Sequence, residues 1–196
     1  MEPIVNRVEE SEITVFNLED LWDEQPVIEL DIEPFLFEGM IVREKDFRGK
    51  AGAYDWSQYR GKHVAVYCSV DAIVPTWAFM LIGSKLEGIA RSVGLGREAD
   101  LVRDHFVREI ERVDWSEYEG IPVVVKGCGS RLVPPNAYFL VMQKLQGVAG
   151  KIMYGEPCSS IPLWRRPRET AERPAAAAKK AAAVKPTLPA SLPPKN

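Results

Sequence analysis

The sequence predicts an α/β fold: a mostly parallel sheet made from two duplicated β-α-β units, with helices packed on it, across residues 1–163. Three observations carry that expectation. Residues 56–96 align without a gap to residues 115–155, with 15 of the 41 aligned positions identical. Each copy reads as a β-branched run, a helix-length apolar stretch and a second short apolar run, which is the pattern of a strand–helix–strand unit. Beyond residue 163 the composition turns to Pro, Ala and Lys without apolar periodicity, so nothing there can repay the entropy of ordering.

Taken in order, VIELDI (27–32) is expected as an edge strand, and FLFEGMIVREKDFRGKA (35–51) as a helical stretch over one face. HVAVYC opens the first unit and PVVVKG the second; both are short β-branched runs bounded by turn residues, hence buried strands. Pro75 and Pro134 stand where a first helical turn tolerates proline. The helices that follow, TWAFMLIGSKLEGIA and PNAYFLVMQKLQGVA, are apolar around most of their circumference and should be well buried. SVGL and KIMY close the units as short strands. Between the units, READLVRDHFVREIERV is an amphipathic helix whose Leu101, Val102, Phe106, Val107 and Ile110 would cover the sheet. Strands alternating with helices imply parallel pairing.

The net charge of −3 is uneven. Residues 164–196 hold Arg165, Arg166, Arg168, Arg173, Lys179, Lys180, Lys185 and Lys195 against Glu169 and Glu172, a tail of +6 that leaves −9 on the rest. An acidic body argues against a nucleic-acid groove. The tail is expected to be disordered and solubilising, with an acidic partner, RNA or a membrane surface as alternatives. No apolar run reaches the roughly 20 residues needed to cross a bilayer, and MEPIVNRVEE lacks the apolar stretch of a secretory signal, so the expectation is a cytoplasmic protein.

Three cysteines, Cys68, Cys128 and Cys158, cannot all pair. All three are expected at the carboxyl edge of the sheet, where open α/β folds place their sites. Neighbouring first strands would bring Cys68 and Cys128 into one crevice, beside helix N-termini that lower thiol pKa values. Together with Asp71 as a fourth ligand or a base, they form the candidate metal site, for zinc, iron or an iron–sulfur cluster. The alternative stays open that each cysteine simply packs, and that Asp71 caps the helix after it. Glu156 beside Cys158 is a weaker ligand candidate, and Arg131 a weaker anion binder. His63 opens a strand and His105 lies within the charged helix; both read as structural. Walker, G-x-G-x-x-G and G-x-S-x-G motifs are absent.

The segments IVREKDFR (41–48), CSVDAIVPTWAFML (68–81) and IMYGEPCSSIPL (152–163) together resemble a bacterial family, domain of unknown function 2480, over roughly residues 10–165. The family pattern places cysteines at the positions of Cys68, Cys128 and Cys158. The resemblance implies a gene neighbourhood that includes Suf-type iron–sulfur assembly components, and hence iron–sulfur assembly proteins as partners. Three functions compete on this basis: a metal- or iron–sulfur-binding accessory factor in cluster assembly, a thiol enzyme or sulfur carrier, and a non-enzymatic adaptor with buried structural cysteines.

Overall fold

Two parallel ladders organise the chain, and each is built around one β-branched strand. The computed structural model describes residues 13–127 and 132–167. In the first ladder β2 (Val27–Asp31) pairs with β3 (His63–Tyr67), and β3 with β4 (Ser92–Leu95), all parallel. In the second, β1 (Thr14–Asn17) pairs with β5 (Pro122–Lys126) and β5 with β6 (Lys151–Tyr154), again parallel. The second ladder ends in β7 (Ile161–Arg165), antiparallel to β6. Both belong to the compact unit that runs to Arg166.

The expectation of one sheet for both units is therefore corrected: the fold has a three-stranded and a four-stranded sheet. The reason is edge occupancy. β3 already has β2 on one side and β4 on the other, and β5 has β1 and β6, so neither central strand offers an edge to the other. The helical stretch expected over 35–51 is also shorter. The helix α1 spans Glu44–Ala53, because Glu38 and Gly39 both take positive φ (51° and 68°) and turn the chain back. The Phe37 N–H then reaches the Ile41 carbonyl, 2.7 Å away, and the helix starts only after this turn.

The remaining helices are α2 (Thr76–Leu86), α3 (Glu98–Arg112) and α4 (Pro135–Val148). Corresponding parts of the two halves sit 59 positions apart. His63 pairs with Ser92 and Pro122 with Lys151. Each central strand is preceded by a short 3-10 turn, Trp56–Tyr59 or Trp115–Tyr118. Asp55 and Asp114 open these turns by accepting the Ser57 and Ser116 N–H groups, both at 3.0 Å. The indole of Trp56 donates to the Ala51 carbonyl and that of Trp115 to the Ile110 carbonyl, which ties each turn to the helix before it. Gly96 and Gly155 end the last parallel strands at φ 113°, a conformation closed to most residues.

Strand alternation decides what each face of the three-stranded sheet meets. Val64, Val66 and Leu30 point into a core with Phe47 and Ala51 of α1 and Ala78, Ile82 and Leu86 of α2. The opposite face carries His63, Ala65, Ser92 and Gly94, and α3 lies along it. Ala65 and Gly94 make that approach possible, since a Cβ on Gly94 would stand 3.4 Å from Leu101 of α3. The other side of α3, Val102, Phe106 and Ile110, enters a second core with Val123, Val125 and the α4 residues Ala137, Val141 and Leu145. Glu29 of β2 fixes the start of α3, accepting the Glu98 N–H at 3.0 Å and pairing with Arg97 at 2.8 Å. This carboxylate sits at the positive end of the helix dipole, and the amide and guanidinium hold its pKa below the usual range.

Candidate functional site

Where α3 passes over the amino end of the three-stranded sheet, the facing side chains are polar. His63 and Ser92 occupy the first positions of β3 and β4, directly paired, while Ala65 and Gly94 deeper in the sheet are small. His105 lies on α3 above them, and the segment Leu21–Asp23 closes the third side. A cleft of about 540 Å³ opens there, lined by these residues and by Arg91, Arg108 and Arg112.

Both histidines are buried, His63 at 1% and His105 at 7% exposure, so their ring nitrogens need partners. His63 Nε2 lies 2.8 Å from Asp23 Oδ1, and its Nδ1 lies 2.7 Å from Ser92 Oγ. His105 Nε2 donates to the Leu21 carbonyl at 2.8 Å. Trp22 sits between the rings, with its centroid 4.7 Å from His63 and 4.6 Å from His105. Glu24 follows at a left-handed φ of 59°, a costly conformation for a residue with a side chain, and it bends the segment so that Asp23 faces inward.

Burial pushes the Asp23 carboxyl up, but hydrogen bonds from His63 and from Arg91 Nε (2.7 Å) outweigh it and hold the pKa at about 2. Asp23 is thus a carboxylate, an acceptor only. In the neutral ring Nε2 must then carry the proton, and Nδ1 is left to accept from the Ser92 hydroxyl. Two oxygens of one carboxylate are held by two elements, which fixes the ring's tautomer and tilt.

A carboxyl held below its unfolded value of about 3.9 adds stability that is complete above that pH and is lost as pH falls through about 2. Asp23→Asn should therefore lower the melting temperature at pH 6 but change it little near pH 2. Melting curves across that range check this, and an equal loss at both pH values would contradict the assignment of the charge to Asp23.

The residues expected to form the cysteine site are placed as follows. Cys68, at the end of β3, is half-buried against the first core, and its thiol donates to the Val70 carbonyl at 3.5 Å. Asp71 is exposed, and Pro75 at the start of α2 receives no side-chain cap. Cys158 is exposed in the loop after β6, where Glu156 pairs with Lys126 at 3.1 Å. Cys128 and Arg131 lie outside the described residues. β3 and β5 stand in different sheets, so the first strands are not the neighbours from which a shared crevice was expected. A second cleft, of about 530 Å³, involves Glu29, Arg97 and Pro134, and neither Cys68 nor Cys158 lines it. Among the described residues no three His, Cys, Asp or Glu side chains are grouped as a metal ion requires.

Asp23, Ser92, Trp22 and Arg108 were not among the expected site residues, and the two histidines read as structural. One signal in the sequence points to them. In the aligned segments His63 stands opposite Pro122 and Ser92 opposite Lys151, so the polar pair belongs to the first half alone.

A family model described as "Protein of unknown function (DUF2480)" matches residues 2–166. No curated protein and no solved structure matches the chain. Among the described residues no helix is long and apolar enough to cross a membrane.

Proposed function

The chain belongs to the DUF2480 family, and from that premise, which leaves the chemistry open, we propose that it is a hydrolase of small esters with Ser92 as nucleophile, His63 as base and Asp23 as the group that orients the ring. One observation carries this reading: the unbroken chain from Asp23 Oδ1 through His63 to Ser92 Oγ, with links of 2.8 and 2.7 Å, at the wall of an open cleft. A serine hydroxyl is a weak nucleophile until a neighbouring base takes its proton, and the base works best when a third group fixes it.

In the first step Ser92 Oγ attacks the acyl carbon while its proton passes to His63 Nδ1. The imidazolium so formed lies against the Asp23 carboxylate, which stabilises it. His63 then gives the proton to the departing alkoxide. Water repeats the sequence on the acyl-serine, losing its proton to Nδ1 and releasing the acid and Ser92. The ring turns Nδ1 rather than Nε2 toward the hydroxyl; the relay needs one donor and one acceptor nitrogen, and either order supplies them.

We also infer that the two halves descend from one duplicated strand–helix–strand unit. The matching registers and 3-10 turns support this.

A fluorophosphonate probe tests the reading, because it phosphonylates only a serine whose proton is being removed. Peptide mass spectrometry should find one adduct on Ser92, reduced in Asp23→Asn and absent in Ser92→Ala. An unlabelled Ser92 beside a labelled control hydrolase would sink the proposal and leave the network as a latch holding residues 21–23.

A further inference from the structure

Resting on the hydrolase reading, we propose that Arg108 is the residue that determines substrate specificity, and that the substrate is an ester bearing a single carboxylate, which Arg108 binds. Three arginines line the cleft. Arg91 is committed to Asp23 at 2.7 Å, and Arg112 to Glu109 at 2.8 Å. Among the described residues Arg108 has no hydrogen-bond or ion-pair partner, although it stands one helical turn from His105 and lines the same cleft. Its five N–H donors therefore remain to be satisfied by water or by a ligand, and their planar fork matches a carboxylate with two parallel bonds.

The remaining charges set the number of negative charges the cleft accepts. Asp23 and Glu109 are neutralised by their arginines. Asp20, on the rim, accepts from the Asn17 amide at 2.7 Å. Among the described residues, one unpaired cation beside one rim carboxylate suits a monocarboxylate held on the Arg108 side. A phosphate monoester would bring about two charges and meet the Asp20 carboxylate as well.

Ester pairs separate this inference from the one beneath it. The p-nitrophenyl esters of butyric acid and of glutaric acid (as its mono-ester) present similar acyl groups, without and with a carboxylate. The intact chain should favour the glutarate ester by about ten- to a hundredfold in kcat/KM, as one charge-assisted hydrogen-bonded pair allows. Arg108→Gln should abolish that preference, bringing kcat/KM for the glutarate ester down to that for the butyrate ester. A preference unchanged by Arg108→Gln overturns the assignment, even with both esters turned over.

Binding supplies a readout that does not depend on turnover. Calorimetric titration of Ser92→Ala with free glutarate should show saturable binding, weakened at least tenfold by adding Arg108→Gln and little changed by adding Arg112→Gln. Absence of binding, or equal loss from both arginines, also overturns the inference. Turnover absent with Arg108-dependent binding intact would remove the hydrolase reading and keep the carboxylate site.

Discussion

Ser92→Ala should lower turnover of p-nitrophenyl glutarate by about a thousandfold or more, leaving a residue of activity above the uncatalysed rate. The size follows from how the three groups work together. His63 has no proton to remove without the hydroxyl, and the hydroxyl is inert without the ring. Asp23→Asn should cost nearly as much. An amide at this position can donate to Nε2, and the ring then carries its proton on Nδ1, facing Ser92 with a donor instead of an acceptor. The double variant should be no slower than the worse single one, because both changes disable one unit. Steady-state kinetics on the three variants decide the matter. Losses that multiply would mean that the two residues act independently, and a Ser92→Ala protein within about threefold of the parent would remove the nucleophile assignment. Stability gives the control. Ser92 is half-buried, and its replacement deletes one hydrogen bond, a cost of about 1 kcal/mol.

The largest expected loss of stability comes from Phe106→Ala, at about 3–5 kcal/mol. Phe106 is fully buried in the core shared by α3, α4 and the four-stranded sheet. Its ring also lies nearly parallel to Trp22, with centroids 6.4 Å apart and planes 13° apart. Truncation removes the apolar transfer energy, leaves a cavity and takes away a surface that Trp22 rests on. In a body of this size the melting temperature should fall by about 10 °C or more, measured by far-ultraviolet circular dichroism. A fall under about 3 °C would show that neighbouring side chains collapse into the space.

Elements with strong local signals were legible in the sequence. HVAVY and PVVVK are dense in β-branched residues, and the helices after Pro75 and Pro134 are long and apolar. The strand at Val27–Asp31 was also expected. The division into two sheets was not, because it depends on which distant strand takes each free edge. β1 is four residues long and pairs with β5 more than a hundred positions away, so nothing near it announces a partner. β7 contains Pro162, which weakens its reading as a strand. The relay was hidden for the same reason. Asp23, His63 and Ser92 lie far apart along the chain, and only the parallel registers and the turn at Glu24 bring them together. Cysteines beyond the strand ends fit the rule that α/β sites open at carboxyl edges, whereas Asp23, His63 and Ser92 meet at an amino edge. The mismatch of His63 with Pro122 and of Ser92 with Lys151 was visible all along, as polar chemistry in one copy that the other lacks.

The position of α3 has a consequence for how the molecule can come apart. One side of this helix rests on Gly94 and its neighbours in the first half, while Phe106 and Ile110 belong to the core of the second. Releasing it uncovers one face of the three-stranded sheet and opens the core of the second half at once, so the two losses are coupled. The two halves therefore form one cooperative folding unit despite having separate sheets. A chain cut between β4 and α3 would leave the first sheet without its cover and the second without its attachment. The shared helix also ties function to stability: the element that keeps the halves together carries His105 and Arg108 into the cleft, and the cleft persists only while the pair stays joined.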